Sequence, residues 1–327
     1  MPGCDGPPLD RTQTGILPIS GEFRRKESRK PTFRSPAGCP GYRTTLTGMS
    51  RSCSGAQFLG DSDIRPAGAN PRVGENVIPL KNDIPVHRVP AVTWALLTAN
   101  LLGFAWQAWF AFQVTGLLHA HGLPFGELMR RFDQGISYTA LVGGAIPWEV
   151  MTFRDIGPRD LVPPPFTILT SMFLHGGLLH LLGNLLFLWV FGPNVEDVLG
   201  KVRFAAFYLA SGVAAAAAQT LLSLAQGDPL MPMVGASGAI AGVMAAYMVF
   251  FPRARVLTAV PIFFFVRFIH LPASFFIGLW FVLQLLYAFL GGFGSGVAFF
   301  AHVGGFVFGW VVTKTLVLAN QRRRGAA

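Results

Sequence analysis

Two polar side chains that could do chemistry together stand near the start of apolar stretches. Ser237 lies in the string GASGAIAG at residues 235–242, and His302 lies in AHVGGFVFG at residues 301–309. A hydroxyl and an imidazole inside an apolar helix cost free energy unless they are hydrogen-bonded or used. A serine and a histidine are also the parts of a nucleophile and its general base. The pair therefore predicts a catalytic site with Ser237 as nucleophile and His302 as base.

Small residues follow both side chains at helical spacing. Gly238 and Gly242 come after Ser237, and Gly305 and Gly309 come after His302. Such residues let two membrane helices approach closely, and packing alone would explain them. We favour catalysis, because packing does not require a reactive group at the same depth on each helix. The four glycines are expected to form the contact between the two helices.

His180 and Asn184 are four residues apart and therefore share a helical face. They could bridge two helices, ligate a metal ion, or donate hydrogen bonds to an oxyanion that develops near Ser237. A metal is disfavoured because the chain has no HExxH string and no carboxylate close to this pair in sequence. We expect neither a metal nor a cofactor. The acidic residues that follow, Glu196 and Asp197, are expected to cap or pair rather than to catalyse.

The composition indicates an integral membrane protein. Of the 327 residues, 52% are hydrophobic and 13% are charged, whereas about 25% are charged in a soluble domain. The apolar residues fall in long runs, so the lipid bilayer is the expected surrounding. The net charge is +10, but the chain has no basic groove that alternates with aromatic residues. Nucleic acid is therefore not an expected partner.

Six apolar segments predict an all-α membrane protein, a bundle of six transmembrane helices. Most of them reach the roughly 20 residues needed to cross the hydrocarbon core, and the fourth is shorter. Residues 256–269 are also apolar, but they contain Pro261 and Arg267 and predict an interfacial connection rather than a seventh span. The six segments cover about residues 91–118, 166–191, 204–224, 237–251, 272–290 and 297–318.

The chain divides into three parts by composition. Residues 1–76 are rich in Pro, Gly, Ser and Arg and are expected to be a disordered, basic cytoplasmic tail. Residues 77–320 hold the six-helix domain, and residues 321–327 form a basic cytoplasmic tail. The Lys and Arg distribution places both termini in the cytoplasm, which puts Ser237 and His302 at the outer ends of their spans. A bacterial inner membrane suits these features best.

Four motifs, in this order, resemble the rhomboid family of intramembrane serine proteases. They are the segment from His175 to Asn184, the turn from Glu196 to Gly200, GASG at residues 235–238, and Ala301-His302 followed by Gly305. The resemblance covers about residues 78–318. It implies a rhomboid-like bundle of six helices with a Ser–His dyad and no third acid.

The resemblance also implies a mechanism. Ser237 would attack the carbonyl of a peptide bond in a substrate's transmembrane segment, and His302 would carry the proton to the leaving amine. The Ser237 backbone N–H, His180 and Asn184 would stabilise the oxyanion, with Gly235 beside them. The implied function is a serine endopeptidase whose partners are transmembrane protein substrates, and a homo-oligomer is left open.

Two positions depart from the family pattern. Some members have an aromatic residue four positions after the serine, stacked on the histidine, whereas this chain has Ala241, so His302 must be oriented in another way. A Trp-Arg pair of the first loop is replaced by Trp148 followed by Glu149. The alternative function is a non-catalytic rhomboid-like protein that binds client transmembrane helices. Such relatives usually lose the serine or the histidine, so the presence of both favours the protease.

Overall fold

The computed structural model describes residues 78–116, 122–156, 162–262, 265–290 and 298–325. The tail expected at residues 1–76 lies outside these ranges. Most of the described residues are helical, which confirms the predicted helical membrane bundle. The helices are α1 Ala91–Val114, α2 Phe125–Gly143, α3 Pro147–Thr152, α4 Pro164–Ser171, α5 Leu178–Leu199, α6 Lys201–Gln226, α7 Ser237–Phe250, α8 Ala273–Phe289 and α9 Phe299–Gly325. The strands are β1 Ile78–Asn82, β2 Arg255–Ile262 and β3 Phe265–Pro272.

Four helices, α1, α5, α6 and α9, are long and apolar enough to cross a membrane, judged by length and composition. Two shorter apolar helices complete the bundle, α7 with 14 residues and α8 with 17. The chain is therefore a multi-pass integral membrane protein. The short α7 is central: every residue from Gly238 to Tyr247 is buried, and the helix packs against α5, α6, α8 and α9. Protein rather than lipid surrounds this helix of about 21 Å, so it need not match the bilayer thickness.

The second predicted span is interrupted. Its residues form α4 and α5, and residues 172–177 between them are not helical. Gln107 of α1 supports the interruption, because its amide nitrogen donates to the His175 carbonyl at 3.1 Å and its amide oxygen accepts from the His175 N–H at 2.7 Å. A side chain thus satisfies backbone groups that an apolar surrounding would leave unpaired.

Two helices extend beyond their predicted ends. α5 continues past residue 191 to Leu199. α9 continues past residue 318 to Gly325, so its last turns include part of the segment predicted as a basic tail. In both cases the helix carries polar residues past the apolar run on which the prediction depended.

A small antiparallel sheet adds to the predicted all-α fold. Its strand order is β1-β2-β3, and β2 and β3 form a hairpin that connects α7 to α8. Within the segment expected to be an interfacial connection, residues 256–262 therefore pair with residues 265–271, and residues 256–259 also pair with β1. The end of the β1–β2 pairing is held by Asp83, which donates its N–H to the Arg255 carbonyl at 3.1 Å and accepts the Arg255 N–H at 2.8 Å.

Polar side chains near the end of α5 tie this helix to the start of α1. The Glu196 carboxylate accepts the backbone N–H groups of Val92 at 3.0 Å and Thr93 at 2.7 Å, and the Thr93 hydroxyl at 2.8 Å. Asp197 accepts the N–H of His87 at 3.0 Å. Glu196 thus caps α1 and satisfies N–H groups that have no partner within the helix. The expected structural role of this acidic pair is confirmed.

An amide pair extends these contacts toward β1. Asn194 donates to the Ile84 carbonyl at 3.0 Å, and Asn82 donates to the side-chain oxygen of Asn194 at 2.8 Å. The four side chains of Asn82, Asn194, Glu196 and Asp197 are called the basal cluster below. It connects β1, the segment before α1, and the last turns of α5.

The long first loop between α1 and α4 contains α2 and α3, and it is anchored to the segment before α7. Ala145 and Met233 exchange two backbone hydrogen bonds, of 3.0 and 2.8 Å, and the Trp148 N–H donates to the Pro229 carbonyl at 3.0 Å. Glu149, which stands where some family members have arginine, is buried and accepts the N–H of Ile156 at 2.9 Å. Backbone pairing therefore anchors this loop to the residues just ahead of Ser237.

Candidate active site

Ser237 and His302 are in hydrogen-bond contact. Oγ of Ser237 lies 2.7 Å from Nε2 of His302, although the two residues are 65 positions apart in the chain. Ser237 is the first residue of α7, and His302 lies in the first turn of α9. The imidazole is 9% exposed, whereas the serine is only partly buried. The hydroxyl is thus on the more accessible side of the pair, and a hydroxyl in this contact with an imidazole could act as a nucleophile with its base.

The glycines of α7 and α9 explain why these side chains can meet. A methyl group placed at Gly305 would overlap the backbone carbonyl of Gly238, and one at Gly309 would overlap the carbonyl of Gly242. At Gly242 a methyl group would also lie 2.5 Å from the Ser211 hydroxyl of α6. The two helices therefore touch backbone to backbone, and a side chain at Gly305 or Gly309 would separate them.

His180 lies beside the serine, against Gly235. A methyl group at Gly235 would be 2.8 Å from Nε2 of His180 and 3.6 Å from the Ser237 hydroxyl, and Gly235 has φ +121°, which disfavours any side chain. The imidazole and the hydroxyl therefore border the same glycine. Nδ1 of His180 accepts the Gly176 N–H at 3.3 Å, so in the neutral ring the proton is on Nε2. His180 thus presents a donor in the region of the hydroxyl.

Asn184 lies one helical turn after His180 in α5. It is buried, and its amide nitrogen donates to the His180 backbone carbonyl at 3.0 Å, within α5. This bond supports the turn of α5 that carries His180. Of the two residues predicted to face the oxyanion, the structure therefore brings His180 next to the serine loop and engages the Asn184 amide with the backbone.

The segment before Ser237 is held by main-chain contacts. The N–H of Gly235 donates to the Ser171 carbonyl at 2.8 Å, and the Ala145–Met233 pairing fixes the chain two residues earlier. Ser237 therefore lies between a loop that is held by backbone hydrogen bonds and a helix that is buried. In the residues described here, no three His, Cys, Asp or Glu side chains gather as metal ligands.

Sequence reasoning missed a third side chain at the site, Gln284 of α8. Its Oε1 lies 2.7 Å from Nδ1 of His302, on the opposite side of the ring from the serine. The Trp280 ring, one turn earlier in α8, is centred 5.7 Å from the imidazole, and the Phe299 ring is centred 6.3 Å from it. These three groups contact His302 in a chain that has alanine, not an aromatic residue, at position 241. Gln284 is the single amide side chain in α8, and a buried amide in an apolar helix indicates a polar partner.

Comparison with known proteins agrees with this fold. Residues 164–319 match the family model of the Rhomboid domain. Rhomboid protein 1, mitochondrial, of Saccharomyces cerevisiae is 30% identical over 192 residues, which cover 55% of this chain and 51% of the relative. RHOMBOID-like protein 5 of Arabidopsis thaliana is 32% identical over 167 residues, which cover 49% of this chain and 51% of the relative.

A further relative is the presenilin-associated rhomboid-like protein, mitochondrial, of Rattus norvegicus. It is 32% identical over 151 residues, which cover 45% of this chain and 37% of the relative. The chain thus spans about half the length of the yeast and plant relatives and less of the rat one. The domain match, the named relatives and the bundle of apolar helices agree with one another: residues 164–319 form a Rhomboid domain, and the chain is similar to rhomboid proteins.

Proposed function

We propose that this protein is an intramembrane serine endopeptidase that cleaves transmembrane segments with a Ser237–His302 dyad. The observation that carries the proposal is the 2.7 Å contact between the Ser237 hydroxyl and Nε2 of His302, at the junction of two closely packed helices. The glycine contacts between α7 and α9 allow the two helices to pack this closely. The Rhomboid domain match supports the reaction class, and the site residues support the chemistry.

In the proposed mechanism the Ser237 hydroxyl donates its proton to Nε2 of His302 as Oγ attacks the scissile carbonyl. The imidazolium then gives that proton to the leaving amine, which departs as the new N-terminus. An acyl-enzyme on Ser237 remains. A water molecule, deprotonated by the same Nε2, hydrolyses the ester and restores the hydroxyl.

Two donors are available for the oxyanion. The Ser237 N–H is in the first turn of α7, where helical N–H groups have no partner within the helix and the helix dipole favours negative charge. Nε2–H of His180 is the second donor, since Nδ1 of that ring accepts the Gly176 N–H. Gly235 leaves room between them for a substrate carbonyl. We assign Asn184 to the support of His180, through its bond to the His180 carbonyl.

The position of the site restricts the substrate. Its nucleophile lies where α7 and α9 begin, between helices that are in backbone contact, so small residues at the cleavage site would fit best. A transmembrane helix hides its carbonyls in internal hydrogen bonds, so a substrate must unwind locally before attack. Gly or Pro near the cleavage site would lower the cost of unwinding.

The orientation in the membrane rests on charge. Basic residues flank the ends of the helices opposite the site, at Arg88, Lys201, Arg203, Arg253 and Arg255, so we place that side and both termini in the cytoplasm. The bacterial inner membrane expected from the sequence finds no support among the relatives, two of which are named as mitochondrial proteins.

The deciding experiment is covalent labelling of the purified full-length protein with a fluorophosphonate probe, followed by identification of the labelled residue. We expect labelling at Ser237 and none in Ser237→Ala. A model transmembrane substrate in proteoliposomes should be cut by the wild type and not by Ser237→Ala. If the wild type binds such segments but neither labels nor cuts, the non-catalytic alternative replaces the protease.

A further inference from the structure

We propose that Gln284 is a positioning residue that keeps the proton of His302 on Nδ1 and so leaves Nε2 free to act as base toward Ser237. This role deepens the proposed function and depends on it, because Nε2 of His302 acts as a base only if Ser237 and His302 are a catalytic dyad. It assigns a third member to a site for which the family resemblance implies only two. The observation behind it is a continuous chain of hydrogen bonds: Oε1 of Gln284 lies 2.7 Å from Nδ1 of His302, and Nε2 of His302 lies 2.7 Å from Oγ of Ser237.

A neutral histidine has one N–H donor and one acceptor nitrogen, and the partner of one nitrogen determines the role of the other. An amide oxygen accepts and cannot donate. With Oε1 of Gln284 at 2.7 Å, Nδ1 must carry the proton, because two lone pairs at that distance would repel each other. Nε2 is then unprotonated and faces the Ser237 hydroxyl.

Burial strengthens the effect of the Gln284–His302 hydrogen bond on the position of the imidazole proton. Gln284 and His302 are each 9% exposed, so water has little access to compete for Nδ1. A hydrogen bond that is shielded from water is stronger electrostatically, and leaving either group without its partner is correspondingly costly. The rings of Trp280 and Phe299 border the imidazole and restrict its rotation. His302 is thus oriented from α8 and from its own helix, which is how the site functions with Ala241.

The choice of an amide rather than a carboxylate follows from the surroundings. In aqueous serine proteases a buried aspartate holds the histidine in the correct tautomer. Here the equivalent group projects from α8, an apolar helix with no charged residue. An ionised carboxylate there would carry the cost of a charge inside the membrane, whereas a neutral amide supplies the acceptor without it.

The test compares three variants in the full-length protein. Gln284→Met keeps the length of the side chain and removes the oxygen acceptor. Gln284→Glu retains an oxygen acceptor at the cost of burying a carboxyl group, and it should restore part of the function lost in the methionine variant. Gln219→Met is the matched control, because Gln219 is also an amide in a membrane helix near the site, but it bonds to the Ala301 N–H at 3.1 Å and to the Ser223 hydroxyl rather than to the imidazole.

The first readout is the protonation of the ring nitrogens by 15N NMR of protein labelled at its seven histidines, with His302 assigned by its loss in His302→Ala. We expect the wild type, Gln284→Glu and Gln219→Met to carry the proton on Nδ1. Gln284→Met should give a mixture of the two tautomers. A wild-type spectrum with the proton on Nε2 would overturn the proposal, since the amide would then present its nitrogen to the ring. This result needs the His302→Ala spectrum for assignment, but it does not depend on the folding of any Gln284 variant.

The second readout is kinetic. Gln284→Met should lower kcat roughly 10- to 100-fold, with KM unchanged, and slow fluorophosphonate labelling of Ser237 by a similar factor. Gln219→Met should keep kcat near wild type. Unchanged labelling in Gln284→Met would contradict the positioning role while leaving the protease intact. If the wild type neither labels nor cuts, the proposed function fails, and the NMR spectrum still decides where the His302 proton lies.

Discussion

Two groups of polar side chains, one near each end of α5, make opposite kinds of hydrogen bonds: the basal cluster lies at its last turns, and the side chains of α7, α8 and α9 that meet at Ser237 lie beside His180 at its start. Glu196 of the basal cluster lies sixteen residues after His180, about 24 Å along the helix. In the basal cluster the polar atoms mostly meet backbone: Glu196 accepts two N–H groups of α1 and Asn194 donates to a carbonyl. At the other end Gln284, His302 and Ser237 meet side chain to side chain and finish at a partly exposed hydroxyl.

The difference separates a structural polar cluster from the one proposed to be reactive. A buried carboxylate whose oxygens are occupied by helix N–H groups has little capacity left for a substrate. A chain of side chains that ends at an accessible nucleophile has a free lone pair at the position a substrate could reach. Burial of polar groups is common to both ends, so burial alone does not indicate catalysis. The feature that distinguishes the two clusters is the group at which the chain of hydrogen bonds ends.

The largest loss of activity is expected from substitutions in the proposed dyad, and these should leave stability nearly unchanged. Ser237→Ala and His302→Ala should each lower kcat by at least about 10⁴-fold, and the double variant should be no worse than the more damaged single one, because the two groups act as a unit. Thermal unfolding should change little. Cleavage of a model substrate in proteoliposomes measures the rate, and more than trace cleavage by Ser237→Ala would refute the role of this serine.

A smaller effect is expected from the oxyanion side of the site. His180→Ala should reduce kcat about 10²- to 10³-fold, since one donor is lost while the Ser237 N–H remains. Asn184→Ala should cost less, because its amide bonds to the His180 carbonyl. Steady-state kinetics on both variants provides the comparison. An equal or larger loss in Asn184→Ala would show that the asparagine amide contacts the oxyanion directly.

The next smaller loss of activity is expected from a change in the spacing between α7 and α9. Gly305→Leu removes no reactive group, but its side chain must push α9 away from the Gly238 carbonyl. A displacement of about 1 Å at a catalytic pair lowers rates by about 100-fold. The matched control is Gly278→Leu in α8, where an added methyl group would meet nothing within 4 Å. Equal turnover in the two variants would mean that the glycine contact does not hold the dyad in place.

The basal cluster should respond in stability and not in turnover. Glu196→Gln replaces one carboxylate oxygen with an amide nitrogen, which cannot accept the N–H of Val92 or Thr93. Loss of a charge-assisted bond to a buried N–H costs about 1.5–3 kcal/mol of the free energy of unfolding. We expect a lower thermal midpoint with unchanged kcat per folded molecule. A fall in kcat without a fall in stability would couple this end to the site.

The sequence predicted the parts that depend on local pattern. Six apolar segments and four ordered motifs were sufficient for the helical bundle, and the glycines at 305 and 309 indicated close helix contact. The break near His175 escaped prediction because its backbone is satisfied by Gln107, which lies 68 residues earlier in the chain. Gln284 escaped for the same reason: one amide in α8 gains its meaning only from the fold that places His302 beside it.

The β1–β2 pairing was missed because pairing between distant segments leaves no periodic trace in either of them. Asp83 and Arg255 are 172 residues apart, and all of α1 to α7 lies between them. Closing a loop of that length costs conformational entropy before any contact compensates for it. In a chain synthesised from its N-terminus, β1 must wait until α7 and the hairpin have emerged. The β1–β2 pairing is therefore a late step in assembly, and it closes only on a chain whose first four apolar segments have already been made.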